Sequence, residues 1–75
     1  MEALSPAIRR EIENRVPEAI ERGALIQFNR DDGGVTLLQC DLTCESGHVE
    51  GTDRDGGWVE LPYSRIKGVS IAPKS

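Results

Sequence analysis

The stretch VTLLQCDLTCE, residues 35–45, decides the fold. Thr36, Leu38, Cys40, Leu42 and Cys44 alternate with Val35, Leu37, Gln39, Asp41, Thr43 and Glu45. The first set is apolar from Leu38 onward, and the second turns polar from Gln39 onward. A period of two held over eleven residues predicts one long, half-buried β-strand.

On either side the same period recurs in shorter runs. Residues 24–30 (ALIQFNR) read as a first strand with Ile26 and Phe28 facing inward. Residues 48–53 read as a third strand, bent at Gly51, residues 58–61 as a fourth and residues 66–72 as a fifth. Turn chemistry separates them: Asp31-Asp32-Gly33-Gly34, Ser46-Gly47 and Asp55-Gly56-Gly57. The segments RDDGGV (30–35) and RDGGWV (54–59) are alike, which reads as the same turn chemistry used twice. Pro62-Tyr63-Ser64-Arg65 is too short for a helix and predicts a single 3₁₀ turn.

Ahead of the strands the period is helical. Ile8, Ile12, Val16 and Ala19/Ile20 recur every three or four residues, with Arg9, Arg10, Glu13 and Glu21 pointing elsewhere. Ser5 suits an N-cap and Pro6 the first helical position. The expected helix covers residues 5–22, kinked or broken at Pro17, and stops at Gly23. Met1 to Ala3 read as frayed and Pro73-Lys74-Ser75 as a tail.

One helix and five strands cannot bury their faces as a flat sheet. The expected fold is mainly β: a single domain over residues 1–75, with an N-terminal α-helix and a strongly bent five-stranded sheet closing into a small barrel over residues 24–72. A chain this short buries only about 60% of its unfolded surface, which leaves room for one thin core and no large substrate cavity.

The tail VELPYSRIKGVSI (59–71) carries a family likeness. With the helix, the five strands and the long second strand, it resembles the Sm-like proteins. It is also similar to Rof, a family of small acidic bacterial inhibitors of the Rho termination factor. A tryptophan strand before a short Pro-Tyr turn resembles SH3 domains as well, and these likenesses imply that the five-stranded small barrel is SH3-like or Sm-like. The Asn- and Gly-based RNA-pocket motifs of Sm proteins and the acidic N-terminal motif of Rof have no counterpart here. The Rof likeness implies a protein partner in transcription or RNA metabolism. The Sm likeness implies RNA binding by a ring.

Charge weighs between these. The net charge is −4, with −1 on residues 1–23 and −3 on residues 24–75, and neither part has clustered Lys and Arg to neutralise phosphates. No run is long and apolar enough to predict a membrane span or a signal peptide, so the expectation is a cytoplasmic protein with no membrane partner. Free Cys40 and Cys44 suit a reducing compartment, since on one strand they would stand about 13 Å apart, too far to bridge.

Catalytic and metal chemistry find little footing. Cys40, Cys44 and His48 are spaced by four, but on a strand and turn this spreads the ligands apart, and no CxxC pair completes a zinc set. Asp53 and Asp55 begin something like a calcium loop, but Gly57 and Trp58 fall where an acid and a glycine are needed. His48, the sole histidine, lies beside Gly47 at a turn, with no pocket to exclude water. The expectation is therefore a non-enzymatic protein with no cofactor and no metal.

What remains is surface recognition. Trp58, Tyr63, Arg65, Lys67 and Arg54 are the expected binding residues: aromatics to anchor or stack, cations beside them. The leading expectation is a small regulator or adaptor that binds a basic protein partner, to which the acidic charge is complementary. The alternative is an Sm-like RNA-binding protein that uses the same five residues. Oligomeric state stays open, because barrel edge strands can pair.

Overall fold

The structure, a computed structural model, describes residues 4–73. Met1 to Ala3 and the tail residues Lys74 and Ser75 lie outside them. The described chain runs as α1 (Leu4–Arg22), β1 (Leu25–Arg30), β2 (Val35–Leu38), β3 (Thr43–Cys44), β4 (His48–Thr52), β5 (Trp58–Pro62), a 3₁₀ turn (Tyr63–Arg65) and β6 (Ile66–Ala72). Among the described residues, no helix is long and apolar enough to cross a membrane.

α1 is one continuous helix with Pro17 inside it. Pro17 is exposed, so the carbonyl left without its N–H partner is placed where water can reach. The helix already includes Leu4, which puts Ser5 and Pro6 inside its first turn. It ends where Gly23 N–H donates to Ile20 O at 3.2 Å and Ala24 N–H to Ala19 O at 2.8 Å, the paired bonds of a Schellman stop. Ile12 and Ala19 are buried against β1 and β6, with Ile8 and Val16 partly covered beside them. Ile20 is exposed, so the stripe finishes on Ala19 alone, whose small side chain lets the helix lie close to the sheet.

The six strands form two antiparallel three-stranded sheets, ordered β2-β1-β6 and β3-β4-β5, rather than one closed ladder. Both derive from the decisive stretch. Its first part, β2, pairs with β1, and its last part, β3, pairs with β4. Between them the strand is broken: residues 39–42 turn, with Leu42 N–H donating to Gln39 O at 3.3 Å. A bridge from Leu38 to Asp53 and a bond from Gln39 N–H to Thr52 O at 2.8 Å join the two sheets at this corner.

The register explains why the alternation survives the break. Five residue steps separate Leu38 from Thr43, but only three separate their partners Asp53 and Glu50. The two extra residues are an even number, so they loop out without exchanging faces. Leu38 is buried, and Cys40, Leu42 and Cys44 pack against the core, while Asp41, Thr43 and Glu45 are exposed. Gly51 makes the corner possible. A Cβ there would meet the Cα and Cβ of Leu42 at 3.0 Å, so the expected bend is a close approach of two backbones.

The two similar turns fold alike. Arg30 N–H donates to Gly34 O at 2.9 Å and Asp53 N–H to Gly57 O at 2.8 Å, and Gly33 and Gly56 take φ of 89° and 92°. The structural match therefore sets Gly33 against Gly56, one residue away from the alignment that the two sequences suggest.

The core gathers Ile26 and Phe28 from β1, Leu38, Val49, Leu61, Tyr63, Ile66 and Val69 with Ile12 and Ala19. Tyr63 is buried at 2% exposure, at the start of the 3₁₀ turn. Its hydroxyl donates to Glu45 O at 2.7 Å, and Arg9 Nη2 of α1 donates to Cys44 O at 2.9 Å. Two long-range contacts thus fasten β3, a strand of only two residues, to the 3₁₀ turn and the helix.

Candidate functional site

Alternation and register build one continuous face on the β3-β4-β5 sheet. Val49, Gly51 and Leu61 point inward. His48, Glu50 and Thr52 of β4 therefore point outward, opposite Pro62, Glu60 and Trp58 of β5 and beside Thr43 of β3. Thr52 Oγ1 donates to Asp41 Oδ1 at 3.3 Å, which brings a further carboxylate to the same side. Glu45 N–H donates to His48 O at 2.8 Å and places Glu45 at the rim. The face thus carries Trp58 near Glu60, Glu50 and Asp41, with Glu45 beyond His48 at the opposite end.

Trp58 is 62% exposed, and its Nε1 donates to Glu60 Oε2 at 3.2 Å. An indole held open to solvent beside carboxylates suits a cation. The ring face attracts it through its quadrupole, and the carboxylates neutralise it. His48 Nε2 lies 2.9 Å from Glu50 Oε1. That bond, opposed by partial burial and aided by the charges of Glu50, Glu60 and Glu45, raises the His48 pKa above its ordinary value. Whatever stability the contact adds is therefore full below the ordinary histidine range and is lost as pH rises through the raised pKa.

The five residues expected to bind from sequence do not share this setting. Trp58 opens β5 on the acidic face. Tyr63 is in the core, so it presents no ring for stacking; its position after Pro62 turns the side chain under the 3₁₀ turn. Arg65 is committed: Nε donates to Asp31 Oδ1 at 3.0 Å and Nη2 to Asp32 Oδ2 at 3.2 Å, which ties the 3₁₀ turn to the β1–β2 turn. Lys67 is exposed on β6 in the other sheet. Arg54, in the β4–β5 turn, lines a shallow groove with Arg30, Val35, Leu37 and Asp55.

The Arg65 latch has a measurable signature. The Gly34 N–H holds the Asp32 carboxyl below its ordinary pKa, with Arg30 and Arg65 adding to that effect against burial. Replacing Arg65 by Ala should move the Asp32 carboxyl titration upward, read by carbon-detected NMR, and leave the amide signals of β3, β4 and β5 in place. A shift spread over the acidic face would refute the assignment of Arg65 to the turn.

Cys40 and Cys44 are unbridged thiols, partly buried on the core side, with Cys40 Sγ donating to Ala24 O at 3.5 Å. The donor cluster that His48 joins is with Glu50 and Glu60 instead. Sequence reading missed Asp41, Glu50 and Glu60 as a set. The signal was present in the period of two, which puts His48, Glu50 and Thr52 on one side, but only the strand register sets Glu60 and Trp58 next to them.

No family model matches the chain, and neither a curated protein nor a solved structure matches it.

Proposed function

We propose that this domain is a non-catalytic interaction module, a small regulator or adaptor, that binds a basic protein segment on the outer face of β3-β4-β5. The observation that carries the reading is the exposed Trp58, bonded to Glu60, on a strand face that also carries Glu50 and Asp41, with Glu45 at its far rim. Such a face recruits Lys and Arg side chains by long-range attraction and then buries the indole as an anchor. The same charges repel a phosphate backbone, and with Tyr63 buried and Arg65 paired, three of the five residues an RNA-binding reading needs remain. The fold is proposed as an open form of the small-barrel plan, its two sheets meeting at the corner from Leu38 to Asp53. The resemblance to the Rof family supports a partner that works in transcription or RNA metabolism.

The test is an amide NMR titration of labelled protein at low salt. One arm uses a short peptide rich in Lys and Arg, the other a mixed-sequence single-stranded RNA. The expected result is saturable shifts at Thr43, Glu50, Thr52, Trp58 and Glu60 with the peptide. Trp58→Ala should weaken binding by at least about tenfold, as expected for a central aromatic anchor. Saturable shifts with RNA, clustered at Arg54 and Lys67, would sink the proposal. So would peptide binding that ignores the loss of Trp58.

A further inference from the structure

Three donor atoms converge on the outer face of β4 and β5. The ring nitrogen of His48 and one carboxylate oxygen each from Glu50 and Glu60 all lie within 4.8 Å of one another. Strand geometry produces this convergence. Asp53 N–H bonds Gly57 O and Tyr63 N–H bonds Gly47 O, so the hydrogen-bonded pairs of this ladder fall at Gly51 with Val59 and Val49 with Leu61. Glu50 and Glu60 are then a non-hydrogen-bonded pair, in which opposed side chains stand closest. Two carboxylates in that position repel each other unless something positive sits between them. His48, two residues along the same face, aims a third donor at the same point.

We propose that His48, Glu50 and Glu60 bind a divalent transition ion of the Zn²⁺ class, leaving its remaining positions open to water or to a donor from a partner. Imidazole with two carboxylates suits this class of ion. Ca²⁺ takes about six to eight oxygen ligands, more than the face supplies, and Mg²⁺, which prefers carboxylate and water oxygens, gains little from an imidazole. Zn²⁺ bonds of about 2.0–2.1 Å put neighbouring donors ~3.3 Å apart in a tetrahedral site. His48 Nε2 and Glu50 Oε1 already stand 2.9 Å apart, and exposed Glu60 needs only a small swing to join them. Trp58 Nε1 holds Glu60 Oε2 from outside, which leaves the other oxygen for the ion and orients the carboxylate, as outer partners of metal ligands do. The site does not depend on the binding of a basic partner. An ion there would cancel part of the negative charge that such a partner recognises.

The test is calorimetric titration of Zn²⁺ into chelator-stripped protein at neutral pH, with Co²⁺ absorbance and the denaturation midpoint as second readouts. The expected result is one ion per chain, bound without competition from Mg²⁺, with a Co²⁺ spectrum free of a thiolate charge-transfer band. His48→Gln and Glu60→Gln should each weaken Zn²⁺ by more than about tenfold, the loss that even an outer partner of a ligand causes. Zn²⁺ should raise the denaturation midpoint of the parent protein and not that of either variant, since only an ion held by the folded state stabilises it. Affinity that survives His48→Gln, a thiolate band that places the ion on Cys40 or Cys44, or equal displacement by Mg²⁺ would each overturn the proposal. Glu60→Gln relieves a like-charge pair, so that variant is expected to fold, and its loss of binding cannot be blamed on unfolding.

Discussion

Tyr63→Ala is expected to cost about 3–5 kcal/mol, the range for removing a buried aromatic side chain. A chain of this length has about 4–11 kcal/mol of total stability, so the variant loses a large share of it and unfolds outright where the parent stands at the low end. Trp58→Ala, five residues earlier, should change stability by no more than about 0.5 kcal/mol, because that ring is mostly in water already. Urea denaturation of both variants checks the pair. Equal losses would refute the placement of one aromatic inside and the other outside. Tyr63→Phe separates the ring from its hydroxyl and should cost about 1 kcal/mol, the worth of its bond to Glu45 O.

The same residue makes the fold sensitive to alkali. Burial pushes the Tyr63 phenol up to about 12, with Cys44 adding to the shift and Arg9 opposing it. An unfolded tyrosine ionises near pH ~10. The folded state therefore keeps its proton longer than the unfolded state, and the part of the stability that this group sets is flat below pH ~10 and falls as pH rises towards about 12. The loss is on the order of 2 kcal/mol, and it should vanish in Tyr63→Phe. Because the chain has one tyrosine, the phenolate absorbance of folded protein reports this group alone.

Gly51→Ala is expected to destabilise by about 1–3 kcal/mol, the cost of inserting a methyl into a filled space. The new Cβ would lie 3.0 Å from both Cα and Cβ of Leu42, and a backbone atom cannot swing aside as a side chain can. The sign is what makes the prediction sharp. A glycine in a strand that can accept alanine normally gains about 0.4–1 kcal/mol from the stiffer unfolded chain. Gly68→Ala in β6 is the matched control: its Cβ would meet Asn29 Nδ2 at 3.5 Å, an ordinary contact, so it should be neutral or stabilising. Denaturant midpoints of the two variants decide the matter. Amide shifts in Gly51→Ala should concentrate at residues 39–42 and β3. A Gly51→Ala protein as stable as Gly68→Ala would refute the close crossing.

Local chemistry in the sequence was enough for much of the fold. The apolar period placed α1, set Ile26 and Phe28 inward, and marked the alternation from Leu38 to Cys44. Gly23 ended the helix, and the Asp-Gly turns separated the strands where the structure separates them. These are decisions a segment makes from its own periodicity and from residues that tolerate special backbone angles.

Other features needed distant partners. The interruption at residues 39–42 depends on Gly51 and Thr52 across the corner, and an even insertion leaves no trace in a period of two. Ala19 rather than Ile20 faces inward because the sheet sets the helix's rotation. Trp58 and Tyr63 look interchangeable in sequence, yet one stands on a strand face open to water and the other turns under a 3₁₀ turn into the core. Arg65 looks like a free cation until Asp31 and Asp32 arrive from more than thirty residues away. The acidic face exists only because strand register sets Glu50 against Glu60 and His48 against Pro62. A sequence specifies which side of its own strand a residue takes, whereas neighbours across strands are chosen when the whole chain buries its core.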